Sequence, residues 1–239
     1  MLKPHIEVIG EPGPRPTVLL FHSCGGVRAH LFDYAAAAAR LGLRAAVIDS
    51  YAARGWSKRF GMTYVCTGMR FWGAERAGDV LAAAHGAIQD LDADPDRLLL
   101  AGWSHGAWSI MDLMTMPLRS PGEAGLADPS PTPLNGLKGL FLAYPYGGVA
   151  ALSRRRTWRR RPRTFGVLAE RDLITTPEDS DRLYAQVLAA GVELELWRVR
   201  APHCFDEPGS PFSWLRYDRE LAATALGRFS RYLEAVLAN

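Results

Sequence analysis

Short apolar runs alternate along the chain with longer segments in which apolar residues recur at helical spacing. The runs are typical of buried strands and cover residues 17–22, 44–50, 96–102, 139–145, 164–170 and 193–199. Strands that alternate with helices in this way indicate a parallel sheet with crossover helices. The last run, ELELWRV, alternates like a strand at a sheet edge. The predicted fold class is therefore α/β, with a mostly parallel central sheet and helices on both faces.

The segments between the strands predict helices. Their expected ranges are 29–42, about 74–90, 105 to about 116, 179–191, and about 217 to the C-terminus. Gly42 and Gly191 are expected to end two of them, because glycine favours the left-handed conformation that follows a helix. Pro117 should end a third, since proline cannot continue a helix. No internal repeat is visible, and we expect residues 1–239 to form a single domain.

Two segments interrupt this alternation. Residues 117–136 contain five prolines and predict an irregular surface insertion. Residues 149–163 contain seven arginines, Arg154 to Arg163, and predict a loop or cap segment. The formal net charge is +3, so the rest of the chain carries −4 once these seven are removed (3 − 7). The basic character is thus local, and it does not resemble the spread-out footprint of a nucleic-acid-binding protein.

The remaining composition is that of an ordinary globular protein, with 48% hydrophobic and 22% charged residues. The opening MLKPHIEVIGEPGPRP lacks the apolar run of a signal peptide, and no stretch approaches the roughly 18 apolar residues of a membrane span.

Cys24, Cys66 and Cys204 form an odd set without metal-type spacing, which argues against a disulfide framework and a metal site. We expect reduced thiols, a cytoplasmic location and no membrane contact.

Gly102-Trp103-Ser104-His105-Gly106 matches the G-x-S-x-G pattern. It follows a predicted strand and opens a predicted helix, which is the context of a nucleophile elbow. Such a turn is so tight that side chains at the two glycine positions would collide with the neighbouring strand and helix. We therefore expect Ser104 to be a nucleophile and the His105 amide to be an oxyanion donor. The alternative is a serine that caps a helix at an ordinary glycine-rich turn.

A serine nucleophile requires a base, and His203 follows the last predicted strand in the loop APHCFDEPG. Asp172 follows the preceding strand and could orient that base. The order serine, aspartate, histidine is the chain order of this kind of hydrolase. Glu170 and Asp179 are the rival acids, although Glu170 is expected to end the strand and Asp179 to begin the next helix.

The turn His22-Ser23-Cys24-Gly25-Gly26 follows the first predicted strand, where a second oxyanion amide is expected. Cys24 is the first candidate for that amide and Ser23 the second, and a plain glycine-rich turn is the alternative. Ser23, Trp103 and Tyr144 are the candidates for substrate contact. The arginines of 154–163 could form a solvated surface, attract anionic substrates or, with only Trp158 among them, contact nucleic acid.

From Thr17 to Asp206 the chain resembles the dienelactone hydrolase family of α/β-hydrolases. The resemblance rests on FHSCGG, VIDSYAARG, LLLAGWSHG, LAERD and APHCFD. It implies an α/β-hydrolase fold and hydrolysis of a small ester or lactone. The family's namesake enzymes carry a cysteine where this chain has Ser104, and many relatives have glycine where it has Ser23. No motif here matches the family's arginines that bind a substrate carboxylate.

The predicted function is that of a serine hydrolase that needs neither metal nor cofactor and acts on a small-molecule ester or lactone through an acyl-enzyme. Thioesterase and peptidase activity on the same triad are alternatives. So is a non-catalytic relative in which the fold binds a ligand. Nucleic acid is not an expected partner, and the oligomeric state is left open.

Overall fold

A computed structural model of the chain describes residues 2–209 and 215–238. Its centre is a seven-stranded sheet. The strands are β1 (Ile6–Ile9), β2 (Arg15–Phe21), β3 (Arg44–Ile48), β4 (Ala93–Trp103), β5 (Leu137–Ala143), β6 (Arg163–Ala169) and β7 (Leu194–Val199). All six strands expected from the sequence are present, with ends shifted by at most a few residues.

The strands lie in the order β1-β3-β2-β4-β5-β6-β7. β1 is antiparallel to β3 and every other neighbouring pair is parallel, so the mostly parallel sheet is confirmed. β7 lies at an edge, as its alternating pattern predicts. β1 at the other edge was not predicted, because it is only four residues long and none of them is buried. This order brings the carboxyl ends of β2 to β7 to one edge of the sheet.

The helices are α1 (Ala29–Arg40), α2 (Lys58–Phe60), α3 (Gly73–Asp90), α4 (His105–Thr115), α5 (Pro177–Ala189) and α6 (Arg219–Leu237). Buried residues of α1 and α6 share one hydrophobic core with Val18 and Leu20 of β2. Buried residues of α3, α4 and α5 share the other core with Leu19 and Phe21. Because successive residues of a strand point to opposite faces, the sheet is covered by helices on both sides, as predicted.

The predicted helix ends are close to the observed ones. Gly42 and Gly191 adopt the positive φ angles of +83° and +75° that a helix-ending glycine favours. The last helix begins two residues later than expected, at Arg219, where the Asp218 side chain accepts hydrogen bonds from two amides of the first turn. Its expected end at the C-terminal residue 239 lies outside the described residues.

The proline-rich segment 117–136 is irregular, as predicted, with single 3-10 turns at Glu123–Gly125 and Thr132–Leu134. It lies against α3, and the approach is so close that a Cβ at Gly78 would meet the carbonyl oxygen of Ala124 at 2.2 Å. Its own residues Leu118 and Leu134 are buried. The segment thus adds to the core on this face of the sheet.

The expectation of reduced thiols is wrong for two of the three cysteines. Cys24 and Cys66 form a disulfide, and Cys204 is free and buried. The partners are 42 residues apart in sequence. They meet because β2 and β3 are neighbours, which brings the turn after β2 against the segment after β3. An odd cysteine count carries no information about this pairing. Within the described ranges, no helix is long and apolar enough to cross a membrane.

Candidate active site

Ser104 occupies a strained turn between β4 and α4. Its φ of 49° and ψ of −108° are unusual for a residue with a side chain. A Cβ at Gly102 would meet the Ala107 amide nitrogen at 2.5 Å, and one at Gly106 would meet the Phe21 carbonyl oxygen at 2.2 Å. The two glycines are therefore required by close backbone approach, as the sequence pattern predicts. The turn places the Ser104 side chain at the carboxyl edge of the sheet.

The structure brings Ser104, His203 and Asp172 together from three different loops. The Ser104 Oγ lies 2.7 Å from His203 Nε2, and His203 Nδ1 lies 2.5 Å from Asp172 Oδ2. All three side chains are buried. Because the Asp172 carboxylate accepts a hydrogen bond from the Nδ1–H group, Nε2 is the nitrogen left to accept the serine proton. The three predicted residues therefore form one hydrogen-bonded chain.

Backbone amides hold the Asp172 carboxylate in place. Its Oδ1 accepts hydrogen bonds from the amides of Ile174 at 2.7 Å and Thr175 at 3.0 Å, which leaves Oδ2 for the histidine. The rival acids are engaged elsewhere. Glu170 pairs with Arg198 at 3.2 Å, and Asp179 lies in the first turn of α5, as expected, where it pairs with Arg154 at 2.9 Å.

The turn after β2 passes directly beside the elbow. Phe21 is paired with Gly102 in the sheet, and Gly106 packs on the carbonyl oxygens of Phe21 and His22. The Cys24 carbonyl accepts a hydrogen bond from Tyr51 Oη at 2.9 Å. The Cys24 amide donates no hydrogen bond to any residue that the structure describes. The His105 amide lies at the first position of α4, where no intrahelical acceptor exists.

The three candidates for substrate contact take part in a buried polar cluster behind the histidine. The cluster centres on Asp206, which accepts hydrogen bonds from Trp103 Nε1 at 3.1 Å, from Tyr34 Oη at 2.7 Å and from Tyr144 Oη. Trp103 and Tyr144 are 0% and 1% exposed. The Tyr144 ring lies 4.9 Å from the His203 ring and supports it.

Ser23 joins the same cluster through Glu207. Its Oγ donates to Glu207 Oε2 at 2.9 Å and accepts from the Gly25 amide at 3.3 Å. The hydroxyl thus fastens the turn after β2 to the loop that carries His203. Sequence reasoning missed Asp206 and Glu207, because acidic residues beside glycine and proline are typical of an exposed loop, whereas both are 2% exposed here.

Two histidines beside the elbow are held neutral. His22 and His105 are fully enclosed, and burial, followed by the nearby Arg76 guanidinium, lowers the pKa of both imidazoles well below the usual value. His105 Nε2 lies 2.6 Å from the Phe71 carbonyl oxygen and therefore carries the proton. The His105 side chain thus points away from the serine.

The arginine-rich segment has an anchored part and an exposed part. Arg154 pairs with Asp179, Arg160 donates to the Met116 carbonyl oxygen at 3.0 Å, and Arg163 pairs with Glu193 at 2.9 Å. Ser153 and Trp158 are buried among them. The arginines left exposed are Arg155, Arg156, Arg159 and Arg161.

Comparison of the sequence with protein-family models gave no match, and comparison with curated proteins gave none either. Solved structures do match. A dienelactone hydrolase-like promiscuous phosphotriesterase from metagenomic libraries is 16% identical with a TM-score of 0.69, covering 97% of this chain and 92% of that one. Esterase 2 of Thermogutta terrifontis, phosphorylated by paraoxon, is 18% identical with a TM-score of 0.67, covering 97% and 88%.

A third structure is Est1E from Butyrivibrio proteoclasticus with bound ferulic acid. It is 13% identical with a TM-score of 0.65, and the match covers 98% of this chain and 95% of that one. These matches span almost the whole of each chain, so they concern the complete architecture. The chain therefore has the α/β-hydrolase fold, and in structure it is similar to dienelactone hydrolase-like proteins and esterases.

Proposed function

We propose that this protein is a serine hydrolase that cleaves a small carboxylic ester or lactone through an acyl-enzyme. The observation that carries the proposal is the hydrogen-bonded chain from Ser104 Oγ through His203 to Asp172, mounted on a strained strand-turn-helix elbow. A buried serine with an aligned base and an orienting carboxylate is the arrangement of an activated nucleophile.

The geometry supports the following sequence of steps. Ser104 Oγ attacks the carbonyl carbon while His203 Nε2 takes its proton, and the carbonyl oxygen becomes an oxyanion. The protonated His203 then gives that proton to the leaving oxygen as the carbon–oxygen bond breaks, leaving an acyl-serine. Water attacks the acyl group with His203 again as the base, which releases the acid and restores Ser104. Asp172 accepts a hydrogen bond from the Nδ1–H group throughout and stabilises the imidazolium.

The Cys24 and His105 amides are the proposed oxyanion donors. Both lie in turns that meet at the elbow, and His105 begins α4, whose N-terminal dipole favours negative charge. Removal of one such donor in other hydrolases costs about 10²–10³-fold in kcat. Since both proposed donors are backbone groups, their effect depends on how rigidly the two turns are held.

The structural neighbours support ester chemistry. One is a phosphotriesterase, and Thermogutta terrifontis esterase 2 occurs with bound butyrate and in a form phosphorylated by paraoxon. A short-chain ester is therefore the substrate class that we test first. Thioesterase or peptidase activity on the same triad, and a non-catalytic ligand-binding role, are the alternatives.

The proposal is tested by turnover of short and long aryl esters, a lactone, a thioester and a peptide anilide. Parent protein, Ser104→Ala and Ser230→Ala are compared. Ser230 lies on α6 and donates to the Leu226 carbonyl oxygen at 3.1 Å, so its loss is a matched control. We expect turnover of a short ester or the lactone by the parent and the control, and none above background by Ser104→Ala. Ester turnover by Ser104→Ala at the parent rate would refute the proposal.

A further inference from the structure

Arg76 is a charged residue with no solvent contact. It lies in the first turns of α3 and is 0% exposed. Burial is the main cause that lowers the pKa of its guanidinium, to about 10, so the group stays charged at neutral pH. Buried charges are normally paired with an opposite charge. Among the residues that the structure describes, no carboxylate lies within ion-pair distance of Arg76. Asp79 and Asp49 act on its charge only from farther away, and Asp79 is already paired with Arg54.

The guanidinium instead contacts one residue in each of the two turns that flank the proposed oxyanion hole. Its Nη1 donates to the His22 carbonyl oxygen at 2.7 Å and to His105 Nδ1 at 2.9 Å. His22 is the residue before the Ser23-Cys24 turn, and His105 carries the amide that follows Ser104. One nitrogen of Arg76 thus connects the two turns that supply the proposed donors.

The other two guanidinium nitrogens of Arg76, Nε and Nη2, differ in their contacts. Nε donates to Ser50 Oγ at 3.2 Å, at the end of β3. Nη2 is buried and has no hydrogen-bond partner among the described residues. A buried cation that has no carboxylate in direct contact is costly, and such a cost is typical of functional sites. An ester hydrolase creates a further negative charge transiently, when the carbonyl oxygen becomes an oxyanion.

We propose that Arg76 is a positioning residue for the oxyanion hole: it holds the turns of Cys24 and His105 together and places an unpaired positive charge behind the oxyanion. This inference rests on the proposed function. Charge preorganised in a dry site stabilises a transition state without reorganisation during the reaction. The neutral histidines fit this role, because His105 accepts from Arg76 through Nδ1 and so adds no competing proton there.

The test compares Arg76→Met, Arg76→Gln and Arg76→Lys with a matched control, Arg44→Met. Arg44 is also buried, and its guanidinium donates to the carbonyl oxygens of Glu11 and Leu91 at the amino end of β3, away from the elbow. For each folded variant, kcat and KM are measured on the best aryl ester. The Ki of a trifluoromethyl ketone is also measured, because its adduct with a serine carries an oxyanion.

For Arg76→Met we expect kcat to fall about 10- to 100-fold with KM nearly unchanged, somewhat less than the loss of a whole oxyanion donor. The ketone Ki should rise by the same factor, while Arg44→Met should change neither. A kcat within about twofold of the parent, or a fall in kcat without a matching rise in Ki, would overturn the inference, because a purely structural arginine has no link to the oxyanion.

If Arg76→Met does not fold, the comparison of Arg76→Gln with Arg76→Lys tests the inference in its place. Both side chains can donate to the His22 carbonyl oxygen, but only lysine keeps the charge. We expect the lysine variant to retain several-fold more kcat and ketone affinity, and equal values would overturn the inference. Ser104→Ala is measured alongside. If it stays active, the proposed function fails. If it is inactive while the Arg76 variants equal the parent, only the inference about Arg76 fails.

Discussion

The disulfide between Cys24 and Cys66 ties the turn that supplies a proposed oxyanion amide to the segment after β3. Cys66 follows the π-helical turn Gly61–Val65, and Gly61 packs on the Cys24 carbonyl oxygen and the Tyr51 ring. Tyr51 in turn donates to that same carbonyl oxygen. The cross-link and the tyrosine therefore hold the Cys24 peptide from both sides.

We predict that breaking this cross-link weakens both stability and catalysis. Cys66→Ser removes the disulfide and leaves the Cys24 amide in the chain. With partners 42 residues apart, chain entropy accounts for up to about 4 kcal/mol of unfolding free energy. We expect a loss of about 2–4 kcal/mol in urea unfolding and a several-fold fall in kcat. Cys204→Ser is the control, because that thiol is free. Identical kcat and stability in parent and Cys66→Ser would contradict the prediction.

A substitution at Tyr144 distinguishes a role in supporting His203 from direct contact with substrate. Tyr144→Phe keeps the ring against His203 but removes the hydroxyl that donates to Asp206. We expect the unfolding free energy to fall by about 1–3 kcal/mol, because a buried carboxylate loses a donor. KM should stay unchanged. Tyr232→Phe, which loses a hydrogen bond to the Arg163 carbonyl oxygen far from the serine, is the control. A raised KM in Tyr144→Phe alone would show instead that the hydroxyl binds substrate.

The pattern of hydrophobic residues was sufficient to predict the sheet and the main helices, because both depend on local periodicity. Short motifs at strand ends were sufficient to predict that Ser104, His203 and Asp172 meet, and their catalytic role stays a prediction. The contacts of Tyr144 and Trp103 with a buried carboxylate were not predicted, for a physical reason. Aromatic residues at strand ends are equally suited to line a cleft or to satisfy a buried carboxylate, and the carboxylate here, Asp206, comes from a loop that sequence alone describes as exposed.

The contacts of Arg76 and the disulfide were not predictable for a related reason. Arg76 lies in a helix that the sequence predicts correctly, yet nothing in its spacing shows that it reaches His22, which is 54 residues away in the chain, and His105. Such contacts arise only when β2, β3 and β4 are brought side by side in the sheet.

The neutral histidines predict an acid-sensitive fold. In the folded protein the pKa of His105 is lowered, mainly by burial and then by Arg76. In the unfolded chain the imidazole keeps its ordinary pKa of about 6.5, so as pH falls the unfolded chain takes up a proton before the folded protein does. Folding stability therefore decreases on acidification. From about pH 7.5 to about pH 5.5 this histidine accounts for a loss of about 1.4 kcal/mol.

The matched variant is His105→Gln, which can still accept from Arg76 and donate to the Phe71 carbonyl oxygen but does not titrate. We expect its urea-derived unfolding free energy to depend less on pH than that of the parent by this amount. All other titrating groups are common to both proteins, so the difference isolates His105. Equal pH dependence in the two proteins would show that His105 does not become buried in a neutral form.

The exposed part of the basic segment consists of Arg155, Arg156, Arg159 and Arg161. Substitution of these residues tests whether the segment attracts anionic substrates. If it does, kcat/KM for a negatively charged ester should exceed that for a neutral one at low salt. The preference should fade as salt shortens the screening length to roughly 3 Å near 1 M. Replacing these four residues by glutamine should remove the salt dependence and leave neutral-ester turnover unchanged. No preference for anionic esters in the parent would identify the segment as a solvated surface.

The most direct measurement of the central claim is the site at which an organophosphate reacts with the folded protein. After treatment with paraoxon or a fluorophosphonate, peptide mass spectrometry locates the adduct. We predict a single adduct on Ser104, absent in Ser104→Ala and formed far more slowly in His203→Ala, because the serine hydroxyl depends on Nε2 of that histidine, 2.7 Å away, to take its proton. An adduct on a different residue, or labelling of Ser104 at an undiminished rate without His203, would contradict the account.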